Sequence, residues 1–377
     1  MAADPLLDPL NATTLKTIYP DAVEDLLFLD APFLAYIRGS KAFRPFTGGV
    51  LDQNVFLYKS LLGGAYAPGT NFSLVKQQTV GATQFTPRYY QTTIVEYKEI
   101  IQVINKGPAA IFKLIDIDMQ NAIQTISAMV AVDLGLNGQL GARAGLNLNG
   151  WTEAINDGVV PSWDGNIYTT YGDQARNGAI GSKLNGNVYW AGNSDGTTAP
   201  ITYTTLVEAY MQATRGRETP NIGVMNKAVM AYVLEKIQPQ QRFEQIQDPY
   251  FGQRAFKLQD ANMLVDEYFP SKRFGQNDPV LGNWLPTDIT YVAPASFSSQ
   301  SVNFPTTNVT LKASEVMCFY NMRKWLFKLS DDPEFGFGWS GFVPAQDNTR
   351  VAGQVKAALN LECLAPWANV QIYGIGG

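Results

Sequence analysis

The sequence predicts an α+β protein built on one long helix that lies on a broad sheet, and three stretches carry that expectation. Residues 108 to 134 repeat Ile111, Leu114, Ile115, Met119, Ala122, Ile123, Ile126, Met129, Val130 and Leu134 at helical spacing. From residue 255 onward, short runs rich in β-branched and aromatic side chains dominate. Between residues 4 and 105, apolar residues are dense but broken by Pro and Gly, too extended to close a core of their own.

The first of these segments, 4 to 43, is interrupted by Pro5, Pro9, Pro20 and Pro32, with one short helical piece after Pro20. Its Leu26, Leu27, Phe28, Leu29, Phe33, Leu34, Tyr36 and Ile37 need cover from the body or from a neighbour. Residues 44 to 105 read as a long two-stranded hairpin or loop that projects from the body. One limb is Val50 to Tyr58, the tip holds Gly63-Gly64 and Pro68-Gly69, and the return limb runs from Thr79 to Ile104. Gly107-Pro108 then opens the long helix and Gly135 and Gly138 end it. At 1.5 Å per residue it extends about 40 Å. Asp116, Asp118 and Asp133 make it too polar to span a membrane.

A Gly/Asn-rich tract follows, 135 to 200, with a short helix and turn at 151 to 158 and turn signals at Gly165-Asn166, Asn177-Gly178 and Gly192-Asn193. Thr205-Leu-Val-Glu208 reads as a capping box opening a helix over 205 to 214, and Asn226 as the cap of 227 to 237. Strands are expected at 255–258, 263–269, 289–293, 309–311, 315–329, 351–364 and 370–373.

Composition narrows the chemistry. The 377 residues suffice for two or three subdomains. Charged residues are 16% of the chain, below the usual ~25%, which suits either extensive burial against partners or a large core. The net charge of −5 and the lack of a Lys/Arg run argue against tight phosphate binding. There is no histidine, which removes Ser-His-Asp and Cys-His catalysis and His-ligated metals while leaving carboxylate, lysine or tyrosine chemistry. No signal peptide or membrane-length apolar run is visible. Cys318 and Cys363 read as buried free thiols.

Gly336-Phe-Gly338-Trp-Ser-Gly341 spells a G-x-G-x-x-G, but Pro344 and Gln346-Asp-Asn348 do not begin the helix that a dinucleotide loop needs. Asp331, Asp332 and Glu334 are read as solvated loop charge rather than a cation site, and no cofactor is expected.

The order of arm, hairpin, long helix, mixed domain and long returning strands resembles the major capsid proteins of tailed bacteriophages, the HK97-like fold. The residues that carry it are Gly107-Pro108, Asn149-Gly-Trp-Thr-Glu-Ala-Ile-Asn-Asp-Gly158 and Val316 to Leu329. The resemblance implies an N-arm at 1–43 and an E-loop at 44–102. It implies a peripheral (P) domain at 103–138 and 309–364, with spine helix 108–134 and P-loop 331–350, and an axial (A) domain at 139–308 and 365–377. It implies a non-enzymatic shell protein that assembles as pentamers and hexamers into an icosahedral head around double-stranded DNA, located in the virion and assembled in the host cytoplasm. Its partners would be other copies, a separate scaffolding protein, a portal and a decoration protein. Packaged DNA would be touched only weakly and without sequence preference, and no membrane is involved. Phe28, Phe33, Phe56, Tyr58, Lys59, Phe335, Phe337 and Trp339 are the expected contacts between copies. Some relatives of this fold crosslink an E-loop lysine, yet no Asn/Glu partner for Lys59 or Lys76 is identifiable. Two alternatives stay open: an encapsulin-type nanocompartment of the same fold, and a β-rich carbohydrate-binding or glycoside-hydrolysing monomer with two carboxylates ~5–10 Å apart.

Overall fold

The computed structural model describes residues 43–46, 48, 54–57, 65, 67–69, 71, 80–97, 108–136, 138–139, 145–176, 181–237, 245–247, 254–266, 268–269, 288–291, 301–302, 304–305, 309–312, 315–344 and 350–376. The expected N-arm therefore lies outside the described residues up to 42, as do Phe28, Phe33, Tyr58 and Lys59.

A helix spans Pro108–Leu134, with proline at its first position as the sequence predicts. Met119, Ala122, Ile126 and Val130 are buried along one face, while Asn121 and Gln124 on the other are exposed. This face lies on a six-stranded sheet centred on the long strand Arg350–Cys363. One side of that strand pairs antiparallel with Arg88–Tyr97, from Arg350↔Tyr97 to Leu359↔Arg88. The other pairs in turn with Trp325–Ser330, Gly336–Trp339 and Val343–Pro344, and Phe43–Phe46 adds in parallel beyond Trp325–Ser330.

The second sheet has eight strands in the order Gln245–Gln247, Arg254–Leu258, Ala261–Val265, Ile222–Met225, Met317–Tyr320, Val370–Tyr373, Asn187–Trp190 and Ser301–Val302. Its four central strands are buried on both faces. Alternation along Met317–Tyr320 shows why: Met317 and Phe319 join the helices Tyr203–Gln212 and Lys227–Ile237 in one core, while Cys318 and Tyr320 face another. That other core also contains Trp151, Trp163 and the inner face of the six-stranded sheet, so the two sheets share it.

Four expectations are corrected. The run 315–329 is two strands in different sheets, Met317–Tyr320 and Trp325–Ser330, because the chain turns at Asn321 through the single-turn helix Met322–Lys324. The larger sheet thus takes 317–320, and 309–312 pairs with 288–291, so the smaller sheet's share of this stretch begins at 325. The return limb is also divided. Val80–Thr83 pairs with Asn54–Leu57 as a hairpin should, but Arg88–Tyr97 belongs to the body, where Tyr90 and Ile94 meet the long helix instead of projecting. The stretch 331–350 is less of a loop than expected, since Gly336–Trp339 and Val343–Pro344 are paired strands. Finally, the helix expected from 205 begins at Tyr203: Thr202 is its cap and accepts from Thr205 N, while Glu208 accepts from the Tyr189 hydroxyl at 2.6 Å. Asn226 caps the next helix as expected, its side-chain oxygen 2.9 Å from Val229 N.

Candidate functional site

The outer face of the six-stranded sheet is open. Along Arg88–Tyr97 the inward residues meet the helix, and the alternate Tyr89, Val95 and Tyr97 are 67%, 51% and 47% exposed. Register extends this face across three strands, because Val95 sits opposite Ala352 and Ala352 opposite Val343, itself 60% exposed. Fixed cations frame it: the Arg350 guanidinium lies 5.4 Å from the Tyr97 ring, and Lys356 Nζ is 5.5 Å from the Phe335 ring and 2.7 Å from Glu334. Gln91 and Thr93 stand between Tyr89 and Val95 on the same side, so the face is mixed, with its large apolar side chains exposed toward its two ends, and it is the candidate interaction surface among the described residues.

Three expected contact residues lie at its rim. Phe335 meets Tyr89 edge-on at 6.1 Å, and Trp339 meets Phe342 at 5.2 Å; with Phe337 they are half-buried against their own core. Phe337 adopts φ 59°, in the left-handed region, at a bulge where the pairing shifts between Gly336 and Gly338. Phe56 lies in the strand Asn54–Leu57, opposite Gly81. Phe28, Phe33, Tyr58 and Lys59 are outside the described residues. Sequence reasoning missed Tyr97, Val95 and Val343; period-two alternation in 88–97 is the signal that finds the first two, and only register places the third.

Beneath this sheet, a buried polar junction ties the long helix to both sheets. The helix's last carbonyls need partners. Trp163 Nε1 donates to Gly135 O at 3.1 Å, and the Thr152 hydroxyl donates to the same oxygen. Gly150 permits this approach, since a Cβ there would stand 2.3 Å from Leu136 O and 2.4 Å from Leu134 O. Tyr90 donates to Asp133 at 2.7 Å, fastening the strand to the helix end. Glu153 is fully buried and accepts from Asn149 Nδ2 at 3.0 Å on both oxygens and from Gln139 Nε2. Burial pushes its carboxyl up to about 7, against the opposing pull of Asn149 and the Arg176 charge. Arg176, also buried, gives its protons to the carbonyls of Asn156, Leu184, Glu153 and Ala154, and burial lowers its guanidinium to about 10. At the surface of the helix–strand contact, burial and a hydrogen bond to Asp118 raise the Glu96 carboxyl.

The chain crosses between the sheets at 321–324 and 364–369, and Asn369 fastens both crossings. Its side-chain oxygen accepts from Asn321 N at 2.9 Å and Trp325 Nε1 at 3.0 Å, and its Nδ2 donates to Ala365 O at 2.9 Å. No group of three or more Cys, Asp or Glu residues arranged to hold a metal occurs among the described residues. No helix among them is long and apolar enough to cross a membrane.

No protein-family model matches the chain, and no curated protein matches it. Solved structures do. The capsid subunit of cyanophage A-1(L) is 10% identical with a TM-score of 0.53, covering 92% of this chain and 93% of its own. The capsid of an empty GTA particle is 9% identical with a TM-score of 0.53, covering 92% and 97%. The capsid of a native GTA particle is 8% identical with a TM-score of 0.52, covering 91% and 90%. At so low an identity the likeness is one of fold, and it runs nearly end to end: this chain has the fold of capsid-shell subunits.

Proposed function

We propose that this protein is the major capsid protein of a tailed phage, a structural protein without catalytic activity that assembles as pentamers and hexamers into an icosahedral head around double-stranded DNA. The observation that carries this is the near full-length sharing of fold with capsid subunits, over 92% of this chain and 93% of the cyanophage one. The open face of Tyr89, Val95, Tyr97 and Val343 supports it, because a chain that works alone gains nothing from leaving such a face in water. In this reading, 1–43 is an N-arm and 44–102 holds an E-loop to which the paired strands Asn54–Leu57 and Val80–Thr83 belong, both lying on neighbouring copies; the helix Pro108–Leu134 is the spine and 331–350 the P-loop. The peripheral domain takes the six-stranded sheet and the axial domain the eight-stranded one. Many modest contacts repeated by symmetry then stabilise a closed shell.

Scaffolding, portal and decoration functions belong to separate proteins, DNA is met only through weak non-specific contact, and the mature location is the virion. Purified protein, expressed alone and with its neighbouring gene products, should form closed particles tens of nanometres across by light scattering and negative-stain microscopy. Val95→Asp with Val343→Asp should leave the subunit folded and abolish the particles. A folded wild-type chain that remains monomeric under every condition rules the proposal out.

A further inference from the structure

Four cations that the sequence scatters come together where the chain crosses between the sheets. Arg215 N donates to Glu218 O at 3.0 Å and Glu218 N to Arg215 O at 3.1 Å, closing a turn with Gly216 and Arg217 at its tip. Lys324 meets Glu218 at 2.8 Å and Asn321 Nδ2 donates to it at 3.0 Å. The Lys324 hydrogen bond, helped by Asn321 and by the charges of Lys324 and Arg323, holds the Glu218 carboxyl below its ordinary range. Arg215 lies over the ring of Trp367 at 5.3 Å. Arg215, Arg217 and Arg323 are exposed, and among the described residues the Glu218 carboxylate pairs with Lys324 and feels the Arg323 charge, so the cluster stays basic on a chain whose net charge is −5.

Lys324 immediately precedes the strand Trp325–Ser330, and at the other end of that strand stands the exposed turn Asp331-Asp332-Pro333-Glu334, where Lys356 offsets Glu334 and leaves Asp331 and Asp332 as its net charge. Asp331 N donates to Phe46 O at 3.1 Å, and Asp332 Oδ1 accepts from Glu334 N at 2.8 Å, so the turn is held in one shape. At ~3.3 Å per residue the two clusters are about 23 Å apart. That exceeds the ~8–10 Å over which salt lets exposed charges interact, so they do not neutralise each other within one molecule. Complementary surfaces at opposite ends of a rigid strand meet between copies, head to tail, and such a contact closes into a ring when its rotation closes.

We propose that the acidic turn 331–334 of one copy docks on the Arg215, Arg217, Arg323 and Lys324 cluster of the next, setting direction and register around a ring of subunits. This rests on the shell-forming function proposed above. Charge complementarity of this kind governs register and association rate more than bulk affinity.

The test is a charge swap scored by the protein concentration at which particles appear. Arg217→Glu with Arg323→Glu reverses one side; Asp331→Lys with Asp332→Asn reverses the other, where Lys356 already offsets Glu334 and the net charge goes from −2 to +1, while keeping an acceptor for Glu334 N. Each pair alone should raise the threshold about tenfold, and the two combined in one chain should return it to within about threefold of wild type. Raising NaCl from about 50 to about 500 mM should raise the wild-type threshold in the same direction, a readout that needs no folded variant. Single-side variants that assemble at the wild-type threshold, or a combined variant no better than either, overturn the contact. So does a basic-side variant that assembles normally but loses affinity for a double-stranded DNA fragment, which assigns the cluster to nucleic acid. Wild-type particles with indifferent variants overturn this contact alone, whereas a wild type that never assembles overturns the shell function with it.

Discussion

Replacing Glu153 by Gln tests whether the buried junction carries a real charge penalty. In the folded chain its carboxyl titrates at about 7, against 4.5 for the exposed group. Between those values the folded state binds more protons than the unfolded one, so stability falls as pH rises from 4.5 to 7 and is level above it. The difference, at about 1.4 kcal/mol per pH unit, makes the ionised side chain cost about 3 kcal/mol at pH 8. Glutamine keeps one acceptor for Asn149 and Gln139 and cannot ionise, so this slope should vanish. Urea midpoints of the unassembled subunit, followed by tryptophan fluorescence at half-unit steps from pH 4.5 to 8.5, measure it directly. Parallel profiles for wild type and variant would falsify the assignment. In that case the three hydrogen bonds to Glu153, with the nearby Arg176 charge, outweigh desolvation and the carboxylate is ionised throughout.

Other consequences follow from the same geometry. Asn369→Ala removes the shared acceptor of Asn321 N and Trp325 Nε1, and should cost about 2–4 kcal/mol by denaturant titration; a change under about 0.5 kcal/mol contradicts the role given to it. Gly150→Ala places a methyl against Leu134 O and Leu136 O, so the variant should be insoluble or lose the cooperative transition, and normal yield and stability would show that the segment shifts freely. Burial pushes the Cys363 thiol up to about 12 and that of Cys318 higher, so neither should react with a maleimide at pH 8 until the chain unfolds. Rapid labelling of the native protein at either position refutes that.

The long helix was legible because twenty-seven consecutive residues hold one period between Pro108 and the glycines beyond Leu134. Asn226 was legible as a cap because its chemistry is local. The break at Asn321 was not, since Met317–Tyr320 and Trp325–Ser330 share the same apolar character and differ only in which sheet receives them. Residues 88–97 looked like part of a projecting limb because strand propensity does not name a partner; ten pairings with 350–359 decide it. The Glu153–Arg176 junction and the Asn369 clamp were illegible for a related reason. Each gathers polar residues far apart in sequence, and a buried polar residue looks like a surface one until its partners are placed. Phe335, Phe337 and Trp339 were noticed as aromatics, but their own sheet holds one side of each, which only the pairing of Gly336–Trp339 reveals.

A cryo-EM reconstruction of the purified assembly tests the central claim most directly. The expected map is a closed shell of fivefold and sixfold rings, in which the outer face around Tyr89, Val95, Tyr97 and Val343 is covered by an extended segment from another copy. A map, or a monomer structure, in which that face is covered by residues 1–43 of the same chain and no other copy touches it would contradict the account.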